Sequence, residues 1–180
     1  PYKSIGFQWS GSLHDHQSFF GFTQHNAKQQ SAYGNLIYQS IIGQTNHKFK
    51  TGISFQYDNY DEVLSNAQLP ILIRNNNGSE LAFNTLDFDR TEQVVGGFFE
   101  YDYDNHKNVQ VIAGVRADYH NLFGWLFNPR VHTRFLLTES TSLRASAGKG
   151  MRVANLFTEN TGILASARQI VLSNFNTNEA

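Results

Sequence analysis

Apolar and polar residues alternate with a period of two along most of the chain, the pattern of strands with one apolar face. In residues 4–13, Ile5, Phe7, Trp9, Gly11 and Leu13 stand against Gly6, Gln8, Ser10 and Ser12. Residues 47–58 set Phe49, Thr51, Ile53, Phe55 and Tyr57 against Lys50, Gly52, Ser54, Gln56 and Asp58. The same alternation runs through 92–104, 109–120, 128–137 and 143–150, with further strands expected at 18–25 and 32–42. Tight turns are expected at 14–17, 43–46, 105–108 and 139–142, where Gly, Asn, Asp and Ser collect. Residues 26–30 read as a connection and 121–127 as a modest loop. Residues 59–91 and 151–180 read as long loops, and only 161–172 approaches helical periodicity.

This pattern predicts an all-β chain: an antiparallel up-and-down meander of about eight strands. Short turns and long connections alternate between the two ends, the arrangement of a transmembrane β-barrel with short periplasmic turns and long extracellular loops. Across the strands expected at 47–58, 92–104, 109–120 and 128–137, the apolar row carries no charge. The opposite row carries Lys50, Asp58, Glu100, Asp102, Arg116, Asp118, Arg130 and Arg134. A Lys or Arg at mid-depth on a lipid-facing wall costs about 2–4 kcal/mol, so a charge-free row is what such a wall requires. A soluble sandwich or lipocalin-like barrel, with its apolar row turned inward, alternates equally well. Three features favour the membrane wall. The strands exceed the usual ~5–6 residues, aromatics gather near strand ends (Tyr57, Tyr101, Tyr103, Tyr119, Phe135), and Gly and Ser recur on the polar row.

Composition agrees. Charged residues make up 16% and aromatics 14%, with fifteen Phe, eight Tyr and fourteen Gly, against the ~25% charge usual in soluble domains. The net charge of −1 and the lack of a basic face give no footprint for nucleic acid. The chain has no Cys, hence no disulfide framework or thiolate metal site. No signal peptide and no apolar run of ~18 residues is visible, which does not bear on barrel strands. The abrupt start at Pro1 and the polar finish predict a piece of a longer chain.

Chemistry-bearing groups are few. Arg116, Asp118, Arg130, His132 and Arg134 cluster on the polar row, and Arg144 and Arg152 extend the strip. Two readings stand: a self-satisfying ladder of cross-strand pairs, which is favoured, or a basic strip contacting a plug or an anionic ligand. His14-x-His16 has the donors for a metal, but a turn pair of histidines is more simply solvated. Asp87, Asp89 and Glu92 do not have calcium-loop spacing and read as a solvated loop end. Nothing has the form of a nucleophile elbow, phosphate loop or paired catalytic carboxylates. No enzyme, no cofactor and no metal site is expected.

One phrase is more specific. After the strand at 143–150, Gly148-Lys149-Gly150-Met151-Arg152-Val153-Ala154-Asn155 resembles a phrase in the barrels of TonB-dependent outer-membrane receptors. Gly148, Gly150, Arg152 and Asn155 carry the motif, and residues 151–169 are similar to the Bacteroidetes-type version. The resemblance reaches back to about Tyr33. It implies about eight strands of a larger barrel, of about 22 strands, in a bacterial outer membrane. It also implies lipid around the wall, an N-terminal plug domain absent from these residues, and a TonB-type energiser acting through that plug. The implied activity is uptake of a scarce nutrient: a siderophore, cobalamin, a metal chelate or a glycan. The alternative reading is a self-contained eight-stranded barrel, membrane-structural or lipocalin-like.

Overall fold

The computed structural model describes residues 3–75, 77–151, 153, 161–165 and 168–173, save the side chains of Gln44, Thr161 and Ile163. Ten strands and one short helix are present among them: β1 (Ser4–Phe20), β2 (Thr23–Ile42), β3 (Gln44–Asn66), β4 (Ile71–Arg74), β5 (Glu80–Phe83), β6 (Thr85–Asp104), β7 (Val109–His120), β8 (Gly124–Thr138), β9 (Thr141–Gly148), α1 (Thr161–Leu164) and β10 (Val171–Ser173). Seven strands form one sheet in the order β1-β2-β3-β6-β7-β8-β9, and three form a second in the order β10-β4-β5. The large sheet is an antiparallel up-and-down meander that does not close, with β1 and β9 at its two edges. The self-contained eight-stranded barrel is therefore not what these residues build.

Several strand limits differ from the sequence expectation. The turn expected at 14–17 and the connection at 26–30 are strand: β1 runs on to Phe20, and the chain reverses at Gly21 (φ +62°). The separate strand expected at 18–25 therefore does not exist. β3 extends through residues 59–66, β6 begins at Thr85, and β8 begins at Gly124, so these parts of the expected loops are also strand. In two of these stretches, 14–17 and 26–30, both rows are almost wholly polar, as in His14-Asp15-His16-Gln17. A strand wet on both sides has no need to alternate. The turn expected at 43–46 narrows to Gly43 (φ +67°), with Gln44 already in β3, and the turn at 105–108 stands where expected. Asn105 Oδ1 accepts from the amides of Lys107, Asn108 and Val109 at 2.9–3.0 Å, which holds the second of them.

The described residues fall into two compact units. Unit one comprises Pro1–Ser10, Ala32–Tyr57 and Glu92–Arg152. Its strand register puts apolar residues beside apolar residues: Phe99 pairs with Val115, Tyr101 with Ala113, Ala113 with Val131 and Val131 with Ala147. These outward side chains stay open, with Trp9 75%, Ile53 63% and Trp125 64% exposed. The buried residues of this unit are polar: Asn35, Ser40, Ser54, Glu92, Asp118 and His120.

Unit two comprises Gly11–Ser31, Asp58–Thr91 and Val153–Ala180, and it holds the apolar core. Leu64, Ile71, Leu86, Phe88, Leu164 and Ile170 cluster, with Phe20, Ile73 and Leu172 packed against them. The two stretches read as separate long loops meet here. β10 lies parallel to β4, Leu72 N–H donates to Ile170 O at 2.9 Å, and β5 pairs antiparallel with β4. Asn66 ends β3: its Oδ1 accepts from the amides of Gln68 and Leu69, and its Nδ2 donates to Thr23 Oγ1 at 2.9 Å.

Candidate functional site

The polar row of unit one is tied together by side chains that cross whole strands, and glycine is what lets them cross. Arg116 on β7 donates through Nε to Asp118 Oδ2 (2.8 Å) and reaches past β6 to Ser54 Oγ on β3 (2.6 Å). Gly96 lies opposite Asp118, and a Cβ there would stand 1.9 Å from Asp118 Oδ1 and 2.7 Å from an Arg116 nitrogen. One turn of the pleat away, Arg130 on β8 crosses β7 over Gly114 to hydrogen-bond Glu100 on β6. Glu100 also faces Lys50 at 3.8 Å. Gly52 makes room for the Phe98 ring in the same way, since a Cβ there would meet it at 2.6 Å. Glycine here is a requirement of close approach rather than of turn geometry.

A concavity of about 460 Å³ opens on this face, between Phe98, Glu100, Arg116, Asn128, Arg130 and Met151. Deeper in the row, His120 is almost fully buried: its Nδ1 accepts from Leu122 N–H (3.1 Å), its ring stacks edge-on with Phe123 (4.9 Å), and its Nε2 lies 3.6 Å from Glu92. Nδ1 being the acceptor, the ring hydrogen sits on Nε2, toward the Glu92 carboxylate.

The residues singled out from sequence separate into two groups. Arg116, Asp118 and Arg130 are members of cross-strand networks. Arg134 and Arg144 lie directly opposite one another in the β8–β9 register, and His132 lies opposite Ser146. Gly148 faces Arg130, where a Cβ would stand 3.2 Å from Pro129 O; Gly150 meets nothing within 4 Å. Arg152 and Asn155 lie outside the described residues. Asp87 and Asp89 are exposed on β6 with Leu86 and Phe88 buried between and beside them, so that stretch is strand rather than loop end.

In unit two, His14 and His16 stack at 5.9 Å, His16 meets His25 edge-on at 6.4 Å, and His25 Nε2 bonds Glu62 Oε2 at 2.9 Å. His25 and Glu62 are both buried. Among the described residues no group of three or more His, Asp or Glu is arranged to hold a metal ion.

Aromatic side chains mark two levels of the outward row. His47 meets Tyr101 and Tyr103, with ring centroids at 6.0 and 5.2 Å, and Phe49 stacks on Phe99. At the other level Tyr119 packs on Trp125 (5.4 Å), which stacks on Phe127. Tyr103 pairs with Val111, eight residues from Tyr119, or ~27 Å along the strand. The apolar band of an outer-membrane barrel is ~25 Å tall with an aromatic girdle at each border. Sequence reading missed Trp125 and Phe127, although their alternation with Gly124, Leu126 and Asn128 was legible. It also missed His25 with Glu62, which only the pairing of β2 and β3 brings together.

Comparison with known proteins gives one family and no individual relative. The model of the TonB dependent receptor-like β-barrel matches residues 2–178. No curated protein and no solved structure matches the chain. With the match spanning almost its whole length, and with an open, outward-apolar meander of the kind such a barrel is made from, the chain belongs to the TonB-dependent receptor-like β-barrel family, whose members reside in bacterial outer membranes.

Proposed function

We propose that these residues are one arc of the wall, with part of the loop cap, of a TonB-dependent receptor that takes up a scarce nutrient across the outer membrane. The observation that supports this most is the inversion of unit one. Its outward row is apolar, exposed and free of charge from β6 to β9, while its buried residues are polar. In water such half-exposed side chains add little to folding, since the unfolded chain exposes them too, and a contiguous apolar face of this extent is the mark of a surface covered by lipid or another protein. In lipid the same row is at no disadvantage.

In this reading the polar row faces the lumen. Arg116, Asp118, Arg130, His132, Arg134, Arg144 and Arg152 are its candidates for contact with a plug domain or ligand. The connections 67–84 and 161–173 lie outside the cell and supply part of the mouth. Energy reaches the receptor through its plug from a TonB-type partner. Siderophores, cobalamin, metal chelates and glycans all remain open as ligand classes. The role is transport and binding, not catalysis.

The test is the native protein in envelope extracts. A detergent-dependent species far larger than 20.4 kDa, carrying plug peptides upstream of residue 1, supports the reading. A water-soluble species overturns it.

A further inference from the structure

We infer that His120 is an acid-sensitive latch on the β7–β8 turn: a second proton on its ring releases the Leu122 amide and commits the ring to Glu92. The inference concerns regulation rather than uptake itself, and it rests on the reading of this end of the sheet as extracellular.

His120 lies inside the sheet, not at an edge. It pairs with Val94 of β6 on one side and Gly124 of β8 on the other, and it is 1% exposed. Its Nδ1 accepts from the Leu122 amide at 3.1 Å. That nitrogen therefore carries no hydrogen, and Nε2 carries the one hydrogen of the neutral ring. Nε2 lies 3.6 Å from the Glu92 carboxylate and has no hydrogen-bond partner among the described residues. The ring is well held at one nitrogen and loosely at the other.

A second proton reverses this. It goes to Nδ1, and an imidazolium has two donors and no acceptor. The Leu122 N–H and the new Nδ1–H then oppose each other, and the bond to the turn is lost. The positive ring meanwhile faces Glu92 in a place with almost no water, where opposite charges attract strongly. The cation is thus met on the β6 side while the turn side is freed. Residues 121–127, from the turn into β8, bring no charged or titratable group. On β7, Asp118 shares the row but is engaged by Arg116. On β6 the row continues from Glu92 to Arg90, which belongs to the second unit. The sign follows: the latch is closed at higher pH and open at lower pH.

The turn can give way locally. Asn121 donates its amide to Gln93 O at 3.0 Å, and its Oδ1 accepts from the Gln93 amide at 2.9 Å. Neither bond titrates, so β6 and β7 stay joined there. Leu122 and Phe123, just beyond, are exposed, and the His120 ring holds both, through the amide of the first and an edge-on contact with the second. Acid therefore loosens 122–123 and leaves the hairpin paired. On the extracellular reading, this part of the rim responds to the pH outside the cell.

The experiment uses the full-length receptor in detergent. Hydrogen exchange at the Leu122 amide is followed by mass spectrometry with residue resolution at about pH 7.5 and about pH 5.5, which bracket the titration of an imidazole. Labelling times are scaled to the intrinsic chemical rate. Protection at Leu122 is expected to fall by about tenfold at the lower pH, the loss of one ordinary hydrogen bond, while the Asn121 amide keeps its protection. His120→Asn leaves a neutral acceptor near the Nδ1 position and should hold the Leu122 amide equally at both pH values. Glu92→Gln removes the counter-charge, so Leu122 should stay protected to lower pH than in the native receptor. Protection at Leu122 that is unchanged by pH in the native receptor, that falls equally in His120→Asn, or that is lost at the same pH in Glu92→Gln overturns the inference. The receptor reading fails separately, at fractionation, if the native protein proves water-soluble.

Discussion

At the scale of single residues, the polar row shows how glycine serves a charge network. Gly96 carries no turn and has no left-handed backbone; its role is the space under Asp118 and Arg116. Gly96→Ala is expected to displace the Asp118 carboxylate and destabilise the receptor by about 1–3 kcal/mol, the range for disturbing a buried charge-assisted bond. Gly34→Ala, where a Cβ meets nothing within 4 Å, is the control and should leave the denaturation midpoint unchanged. Asp118→Ala is expected to cost a similar 1–3 kcal/mol, because it leaves the Arg116 guanidinium with only Ser54 on a crowded face. Arg116 is about one-third exposed, which keeps the cost below that of a fully buried pair. The recurrence of Gly and Ser on this row was visible in the sequence. Which arginine each glycine serves was not, because the crossings of Arg116 to Ser54 and Arg130 to Glu100 span two strand spacings.

At the scale of elements, the outward row is what the sequence revealed most directly. Alternation there is enforced from outside, because each odd residue of β7, β8 and the part of β6 from Glu92 onward meets one solvent and each even residue another. Ala113→Arg, between Tyr101 and Val131 on that row, is therefore expected to cost about 2–4 kcal/mol in a bilayer. Ile112→Arg, one residue away and facing Asp102 and His132, should cost far less. Urea titration of the two receptors refolded in vesicles measures the difference. The small sheet gives a second expectation. Leu164 is buried between elements far apart in the chain, so Leu164→Ala should lose about 2–5 kcal/mol of local stability. The loss should appear as faster hydrogen exchange at the Leu72 amide, which donates to Ile170 O, with β7 and β8 unaffected.

At the scale of the whole molecule, two environments divide the chain. In unit one the apolar residues are outside and the polar ones inside. In unit two Leu64, Ile71, Leu86, Phe88, Leu164 and Ile170 form an ordinary inward core. Hydrophobicity therefore has opposite meanings in the two units. The strand at 85–91 shows the consequence. Leu86 and Phe88 alternate with Asp87 and Asp89, a pattern as regular as any in β7, yet the acidic residues made it look like a loop end. For a sequence to specify both environments is consistent with a protein that crosses a lipid layer and continues beyond it. That division should show in limited proteolysis of intact cells: cleavage within residues 67–84, none within β7 or β8. Cleavage in β7 on intact cells would count against the assignment of sides.

The sequence by itself determined the class of fold, the strand hairpins from β6 to β9 within a few residues, the polarity of the two rows and the family phrase around Gly148. These are local: a period of two, a turn residue and a run of eight letters need no partner to be read. Tertiary structure alone decided that β1 runs through 14–17 and β2 through 26–30, because where both rows of a strand are polar, pairing with a neighbour and not alternation keeps it extended. It alone joined 71–74 to 171–173 as β4 and β10, since a parallel pair between segments about a hundred residues apart leaves no local mark. And it alone showed which arginines cross a neighbouring strand. That depends on where a glycine lies in the neighbour, as Gly114 does beneath Arg130, which is fixed by register.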